Sequence, residues 1–174
     1  HYDYWSDSLK PSILMDCPAD LLVYGMAERT MVKVAKLIEQ EGGNADFSTL
    51  PQTAFVSNEK PMATELLELH SFAECRKSKQ CHAENFHVIE RESNKIEAAT
   101  LSQYYEKGSA PLAGEGTYVV VNPPEPPMTT DEMDASFGLP YMRLPHPKYK
   151  KRGTVPAYEM IKYSVNIHRG CFGG

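Results

Sequence analysis

Hydrophobic and polar positions change period once within the first forty residues. Asp20–Gly25 is a short apolar run closed by glycine and predicts a buried strand. From Glu28 to Glu41, Met31, Val34, Ala35 and Ile38 recur at helical spacing, and Gly42-Gly43 supplies the stop. A strand, a tight glycine turn and an amphipathic helix make half of a βαβ unit, so the fold class expected is α/β. Thr53–Ser57 is a further, short strand candidate.

Residues 62–107 predict a helical middle. Met62, Leu66 and Leu69 share one helical face, as do Phe86, Ile89 and Ile96, while the polar stretch Arg76–Gln80 breaks the first helix. Asn94, with Glu97 three residues on, predicts the start of a helix running to Lys107 and closed by Gly108. After residue 110 the character changes: nine of the 13 prolines lie from Pro111 onward. Thr117–Val121 predicts a strand just before Pro123–Pro127, and Thr129 with Glu132 fits a capping box for a short helix over Asp131–Phe137. Pro140, Pro145 and Pro147 then forbid regular structure until about Pro156. A long, proline-stiffened connection of this kind joins two domains or drapes over one. In the last element, Met160–Ile167, the residues Ile161, Tyr163, Val165 and Ile167 alternate with polar ones, which predicts a strand.

The 174 residues, 41% hydrophobic and 24% charged, suffice for one core and exclude bulk disorder. Apolar runs such as Leu21–Tyr24 are far too short to span a bilayer, so no membrane partner is expected. The chain begins at His1 without a methionine and ends on Gly173-Gly174, and is expected to be a truncated fragment of a longer protein. Cys17, Cys75, Cys81 and Cys171 show no small-domain disulfide framework, which favours reduced thiols and a cytoplasmic location. Net charge is −5, yet residues 141–174 carry seven basic groups and one acidic. A solvated turn at Lys148, Lys150, Lys151 and Arg152 accounts for most of that excess, and no nucleic-acid motif accompanies it.

Three groups of residues bear on chemistry. Cys75, Cys81, His82 and His87 offer four potential metal ligands within 13 residues, a candidate small zinc module, although the spacing fits no common zinc pattern. Tyr2, Tyr4 and Trp5, beside Asp3 and Asp7, are expected to pack in the core or at a domain interface. The predicted last strand delivers Cys171 into a glycine-rich turn, with His168 and Arg169 beside it and His146 and Arg143 in the connection. Glycines let such a loop bend sharply and free backbone N–H groups for cluster sulfurs, while a neighbouring cation favours the thiolate. A lone cysteine after a strand is more often a small core residue. No P-loop, Gly-x-Ser-x-Gly or His-Glu-x-x-His is present.

Particular motifs carry a resemblance. Asn122-Pro-Pro, Glu132-Met-Asp134, Leu139-Pro-Tyr141, Arg143-Leu-Pro-His-Pro147, Pro156-Ala-Tyr-Glu159 and Ser164-Val-Asn-Ile-His-Arg-Gly-Cys-Phe-Gly-Gly174 resemble the YgiQ-type radical S-adenosylmethionine proteins. So do His1–Asp7 and Ala19–Gly25, whereas residues 45–115 resemble them least. The resemblance implies a Cys-x3-Cys-x-x-Cys loop whose three thiolates hold a [4Fe–4S] cluster. The cluster reductively cleaves S-adenosylmethionine to a 5′-deoxyadenosyl radical, which abstracts hydrogen from a substrate. Here only Cys171 matches a cluster ligand; the other two cysteines would fall beyond Gly174. Arg169 is a candidate contact to the S-adenosylmethionine carboxylate.

The resemblance also divides the chain. Residues 1–60 would end an N-terminal open α/β layer, 61–110 form the helical segment, and 111–159 hold a strand and the proline-rich connection. Residues 160–174 would be the first strand and cut cluster loop of a radical-SAM barrel. The layer resembles the cobalamin-binding type, but the Asp-x-His-x-x-Gly signature is absent, so cobalamin is not expected. The parent would be an enzyme using the cluster, S-adenosylmethionine, an electron donor and an unidentified substrate; the fragment alone would be inert and bind no cofactor. A non-catalytic α/β interaction domain is the competing expectation.

Overall fold

The computed structural model describes residues 1–95 and 97–166. The chain divides into two units, His1–Pro127 and Met128–Gly174.

The first unit is built on a five-stranded mixed sheet. Its strands are β3 (Leu22–Val23), β4 (Thr53–Ser57), β5 (Leu66–Leu69), β6 (Thr100–Tyr105) and β7 (Thr117–Val121), in the order β3-β4-β7-β6-β5. β4 and β6 both pair antiparallel with β7, placing Ala54 and Leu101 on either side of Val121. β5 runs parallel to β6, with Leu66 opposite Thr100. Parallel neighbours need a crossover, supplied by α3 (Phe72–Lys77) and α4 (Lys79–Ser93). β3 pairs antiparallel with β4, so the strand–turn–helix at the start, which suggested half of a βαβ unit, is not one: α2 (Glu28–Glu41) connects antiparallel strands. The parallel unit is β5-α3-α4-β6.

Alternation along the strands sorts the two faces. Ala54, Val56, Tyr105, Val119 and Val121 face a core completed by Leu14 and Met15 of α1 (Ile13–Asp16) and by Phe72. Tyr105 is the hub. Its ring stacks on Phe72 with centroids 5.0 Å apart, and its hydroxyl accepts from the Ser12 N–H at 2.9 Å. Burial pushes its pKa up to about 12. On the opposite face, Phe55, Val120 and Asn122 border an open cleft of about 530 Å3 that also touches Pro61 and Met62.

The middle of the chain is not helical throughout. Leu66–Leu69 and Thr100–Tyr105, expected as helix, are strands. Over four residues, apolar positions at helical spacing do not separate the two periods, and pairing with distant strands decides. In Thr100-Leu-Ser-Gln-Tyr-Tyr105, β-branched and aromatic residues favour the strand. Asn94 caps the opposite end of a helix from the one expected: its side-chain amide donates to the Glu90 carbonyl at 2.8 Å and closes α4. The break at Arg76–Gln80 is present. Ser78 ends α3 and caps α4, accepting from the Cys81 N–H.

A two-stranded ribbon, β1 (Tyr2–Asp3) and β2 (Ser8–Leu9), opens the chain. Tyr2, Tyr4 and Trp5 are exposed, Trp5 by 91%, so the core packing that was one expectation for them does not form. Asp3 and Asp7 instead hold the turn: Asp3 accepts from Trp5 N–H and Ser6 O–H, and Asp7 from the Tyr2 hydroxyl.

The second unit contains α5 (Thr130–Phe137), a 3-10 turn (Pro147–Tyr149) and α6 (Pro156–Ile161). The predicted capping box opens α5: Thr129 Oγ1 accepts from Glu132 N–H, and Glu132 accepts from Thr129 N–H. The strand predicted over Met160–Ile167 does not form over its described part. Met160 and Ile161 end α6, and Ser164–Asn166 have no regular structure. Pro156 presets the first helical turn, Lys162 pairs with Glu159 at 2.6 Å, and no described strand pairs with this segment.

Candidate functional site

Cys171, Arg169 and His168 lie outside the described residues. Arg143 and His146 are exposed, and His146 Nδ1 accepts from the Lys148 N–H at 3.1 Å in a local turn.

The cysteine–histidine cluster does not assemble a metal site. Cys75 is buried on α3, Cys81 and His82 are half-buried on α4, and His87 is exposed one turn and a half further on. Among the described residues no group of three or more His, Cys, Asp or Glu side chains is placed to hold a metal ion. Cys75 has another role. Asn85 Nδ2 donates to its Sγ at 3.1 Å and to the His70 carbonyl at 2.9 Å, and Gln103 Nε2 donates to the same carbonyl at 3.0 Å. This network joins α3 and α4 to the end of β5. Burial pushes the Cys75 thiol up.

The most completely built polar cluster lies where β7 passes into the prolines. Asn122, 7% exposed, has its amide nitrogen 2.7 Å from the Ser48 carbonyl, 2.8 Å from that of Leu50 and 3.1 Å from Thr53 Oγ1. Its own carbonyl accepts from the Tyr24 hydroxyl, and its N–H donates to the Thr53 carbonyl. Gln52, at φ +62°, donates its N–H to the Pro123 carbonyl and its side chain to the Tyr24 carbonyl. Burial pushes the Tyr24 pKa up to about 12, so the phenol remains a donor at neutral pH.

The prolines themselves are held by charge. Arg29 donates to the carbonyls of Pro126 and Pro127 at 2.9 and 3.3 Å. Arg29 and Lys33, one turn apart on α2, both pair with Glu125, which is 9% exposed. Asn122-Pro-Pro stood out in sequence only through the resemblance; nothing local marked Arg29, Lys33 or Glu125, which are more than ninety residues apart. The arrangement offers no nucleophile and no acid–base pair in a cleft. It fixes the point from which the connection leaves the sheet.

The family model described as radical SAM N-terminal matches residues 1–164. The chain belongs to that family. It is similar to a UPF0313 protein of Bacteroides thetaiotaomicron, 45% identical over the whole chain and 28% of that relative. A UPF0313 protein of Porphyromonas gingivalis is 44% identical over the whole chain and 26% of its own length. One of Methanocella arvoryzae is 38% identical, again over the whole chain and 27% of its length. The chain therefore spans a little over a quarter of these relatives, and the resemblance to YgiQ-type proteins holds along all of it. No solved structure matches. Among the described residues no helix is long and apolar enough to cross a membrane.

Proposed function

We propose that this chain is the scaffold portion of a cytoplasmic radical S-adenosylmethionine enzyme. Unit His1–Pro127 anchors the connection that leads toward Cys171, the first of three cluster cysteines. The observation that carries this reading is the radical SAM N-terminal match over residues 1–164, ending seven residues before Cys171. In a longer parent, Cys171 and two further cysteines would hold the cluster, which would supply one-electron reduction of S-adenosylmethionine. The described residues contain no donor set for that cluster, so no chemical step is assigned to them. Their contribution is positional: Asn122, Arg29 and Lys33 fix the start of the connection. Arg169, two positions before Cys171 in sequence, is the candidate contact to the cofactor carboxylate.

The test is anaerobic iron–sulfide reconstitution of the polypeptide extended to the length of its relatives, with residues 1–174 as control. A four-iron paramagnetic signal after reduction, shifted by S-adenosylmethionine and lost in Cys171→Ala, is expected. A folded long chain that takes up no cluster overturns the reading and leaves a non-catalytic interaction domain.

A further inference from the structure

Met128–Asn166 contains two helices and a turn but no core of its own. α5 opens on a complete capping box, α6 opens on Pro156, and none of the described residues of the stretch is buried. Its apolar side chains remain in water: Leu139, Tyr141, Met142, Leu144, Ile161 and Tyr163 are each more than half exposed, Tyr163 by 88%. Local signals this explicit set a shape, yet the shape buries nothing. Isolated exposed apolar residues need no explanation, but this many within about thirty positions mark a surface made for contact. The residue types agree, since Tyr141-Met-Arg143 is the chemistry enriched at interface cores. The four prolines between residues 140 and 156 lower the ordering cost of docking.

Charge and length indicate the occupant. Residues 135–158 carry five cations, Arg143, Lys148, Lys150, Lys151 and Arg152, and no carboxylate. In a two-fold contact between copies the same cations would face one another, which disfavours a second chain. The relatives extend over nearly four times the length of this chain, so a covalently attached partner is present at high effective concentration. The entry to the stretch is already fixed by Arg29 and Lys33 on Glu125.

We infer that Met128–Asn166 is a docking strap whose apolar, basic surface is covered by the domain that follows residue 174. The inference rests on the function proposed above for the identity of that domain. The partner surface is apolar with an acidic rim.

Hydrogen exchange read by mass spectrometry tests it, on the polypeptide extended to the length of its relatives and on residues 1–174. Amides of 139–163 exchange at least tenfold more slowly in the long chain, while those of β4, β6 and β7 are alike in both. Tyr141→Glu with Leu144→Glu restores fast exchange in the strap of the long chain and leaves the sheet protected; Leu144→Ser is the milder variant should the pair aggregate. Equal, fast exchange of 139–163 in both chains overturns the strap. So does protection already present in residues 1–174: if it rises with concentration the partner is a second copy, and if it does not the stretch folds back on its own chain. Iron measured on the same sample separates the two proposals. A bound cluster with an unprotected strap removes only the strap, and a protected strap without iron supports docking while removing the cluster.

Discussion

The Tyr24 hydroxyl donates to the backbone carbonyl of Asn122 at 2.5 Å, joining the end of β3 to the end of β7 across 98 residues of sequence. β3 contributes only two residues to the sheet, so this bond, with the Gln52 side chain on the Tyr24 carbonyl, holds that edge in place. Asn122 makes the other half of the lock. Its side chain donates to the Ser48 carbonyl and joins the Thr53 hydroxyl on that of Leu50, tying the 48–50 loop to the sheet.

Removing that amide takes the donor from the Ser48 carbonyl and leaves the Leu50 carbonyl with the Thr53 hydroxyl alone. Asn122→Ala is expected to destabilise residues 1–174 by about 1–3 kcal/mol, and Tyr24→Phe by about 1 kcal/mol. For a chain of this size each kcal/mol lowers the melting temperature by roughly 2–4 °C. Thermal melts of the two variants check this; an Asn122→Ala melt equal to the parent contradicts it.

Glu92 predicts a pH dependence. Its carboxylate is 3% exposed and accepts from the Lys95 ammonium at 2.8 and 3.0 Å, from Arg91 Nε, and from the Ala99 N–H at the approach to β6. The Lys95 hydrogen bond, with the Ala99 and Arg91 contacts, holds its pKa down at about 2 against an ordinary value of 4.5. A carboxyl depressed in the folded state stabilises the fold above its unfolded pKa, and that stabilisation is lost as pH falls toward the folded one. The contribution is therefore complete above about 4.5 and gone near 2. Denaturant midpoints should fall through this window in the parent and change less in Glu92→Gln, which is less stable than the parent at pH 7. Parallel pH profiles for the two proteins contradict the assignment.

The elements legible in sequence were those whose signals are local. α2 with its glycine stop, the capping box of α5 and the β-branched run of β7 appear where the pattern placed them. What failed needed information from elsewhere in the chain. Asn94 is as good a residue for closing a helix as for opening one, and only the strand pairing of Thr100–Tyr105 with β7 shows which end it serves. Met160–Ile167 alternates like a strand, but alternation without a partner strand provides no ladder bonds, and the first turn set by Pro156 prevails over its described part. The polar cluster around Asn122 was half visible as Asn122-Pro-Pro. Its other half, Arg29 and Lys33 on Glu125, is a meeting of distant residues with no local signature.

The thiols should differ in reactivity. Cys17 is exposed, Cys81 half-buried, and Cys75 buried under Asn85 with its thiol pushed up by burial. Thiolate is the reacting form, so Cys75 is expected to alkylate at least about tenfold more slowly than Cys17 at pH 7.5. Its rate should still be rising at pH values above the usual thiol range. Peptide mapping after timed iodoacetamide exposure reads all three, and the difference should vanish in denaturant. Fast labelling of Cys75 in the folded chain contradicts the network described for it.

The anchor on Glu125 provides a test in which stability and local order part company. Glu125 is nearly buried while Arg29 and Lys33 are partly solvated, 26% and 43% exposed, so the pair sits between two regimes. An exposed pair contributes at most about 1 kcal/mol, and breaking a buried one costs about 3 kcal/mol or more. Glu125→Ala is thus expected to cost about 1–2 kcal/mol, less at high salt because the cations reach solvent. The larger effect is local. Arg29 donates to the Pro126 and Pro127 carbonyls independently of Glu125, so Glu125→Ala loosens the segment while Arg29→Ala removes charge and carbonyl contacts together. Protease nicking within residues 123–130 should rise modestly in Glu125→Ala and several-fold in Arg29→Ala, with the sheet amides still protected in both. Equal nicking in parent and Arg29→Ala would show that the prolines hold their course without α2, and that the exit of the connection is set by Asn122 and Gln52 alone.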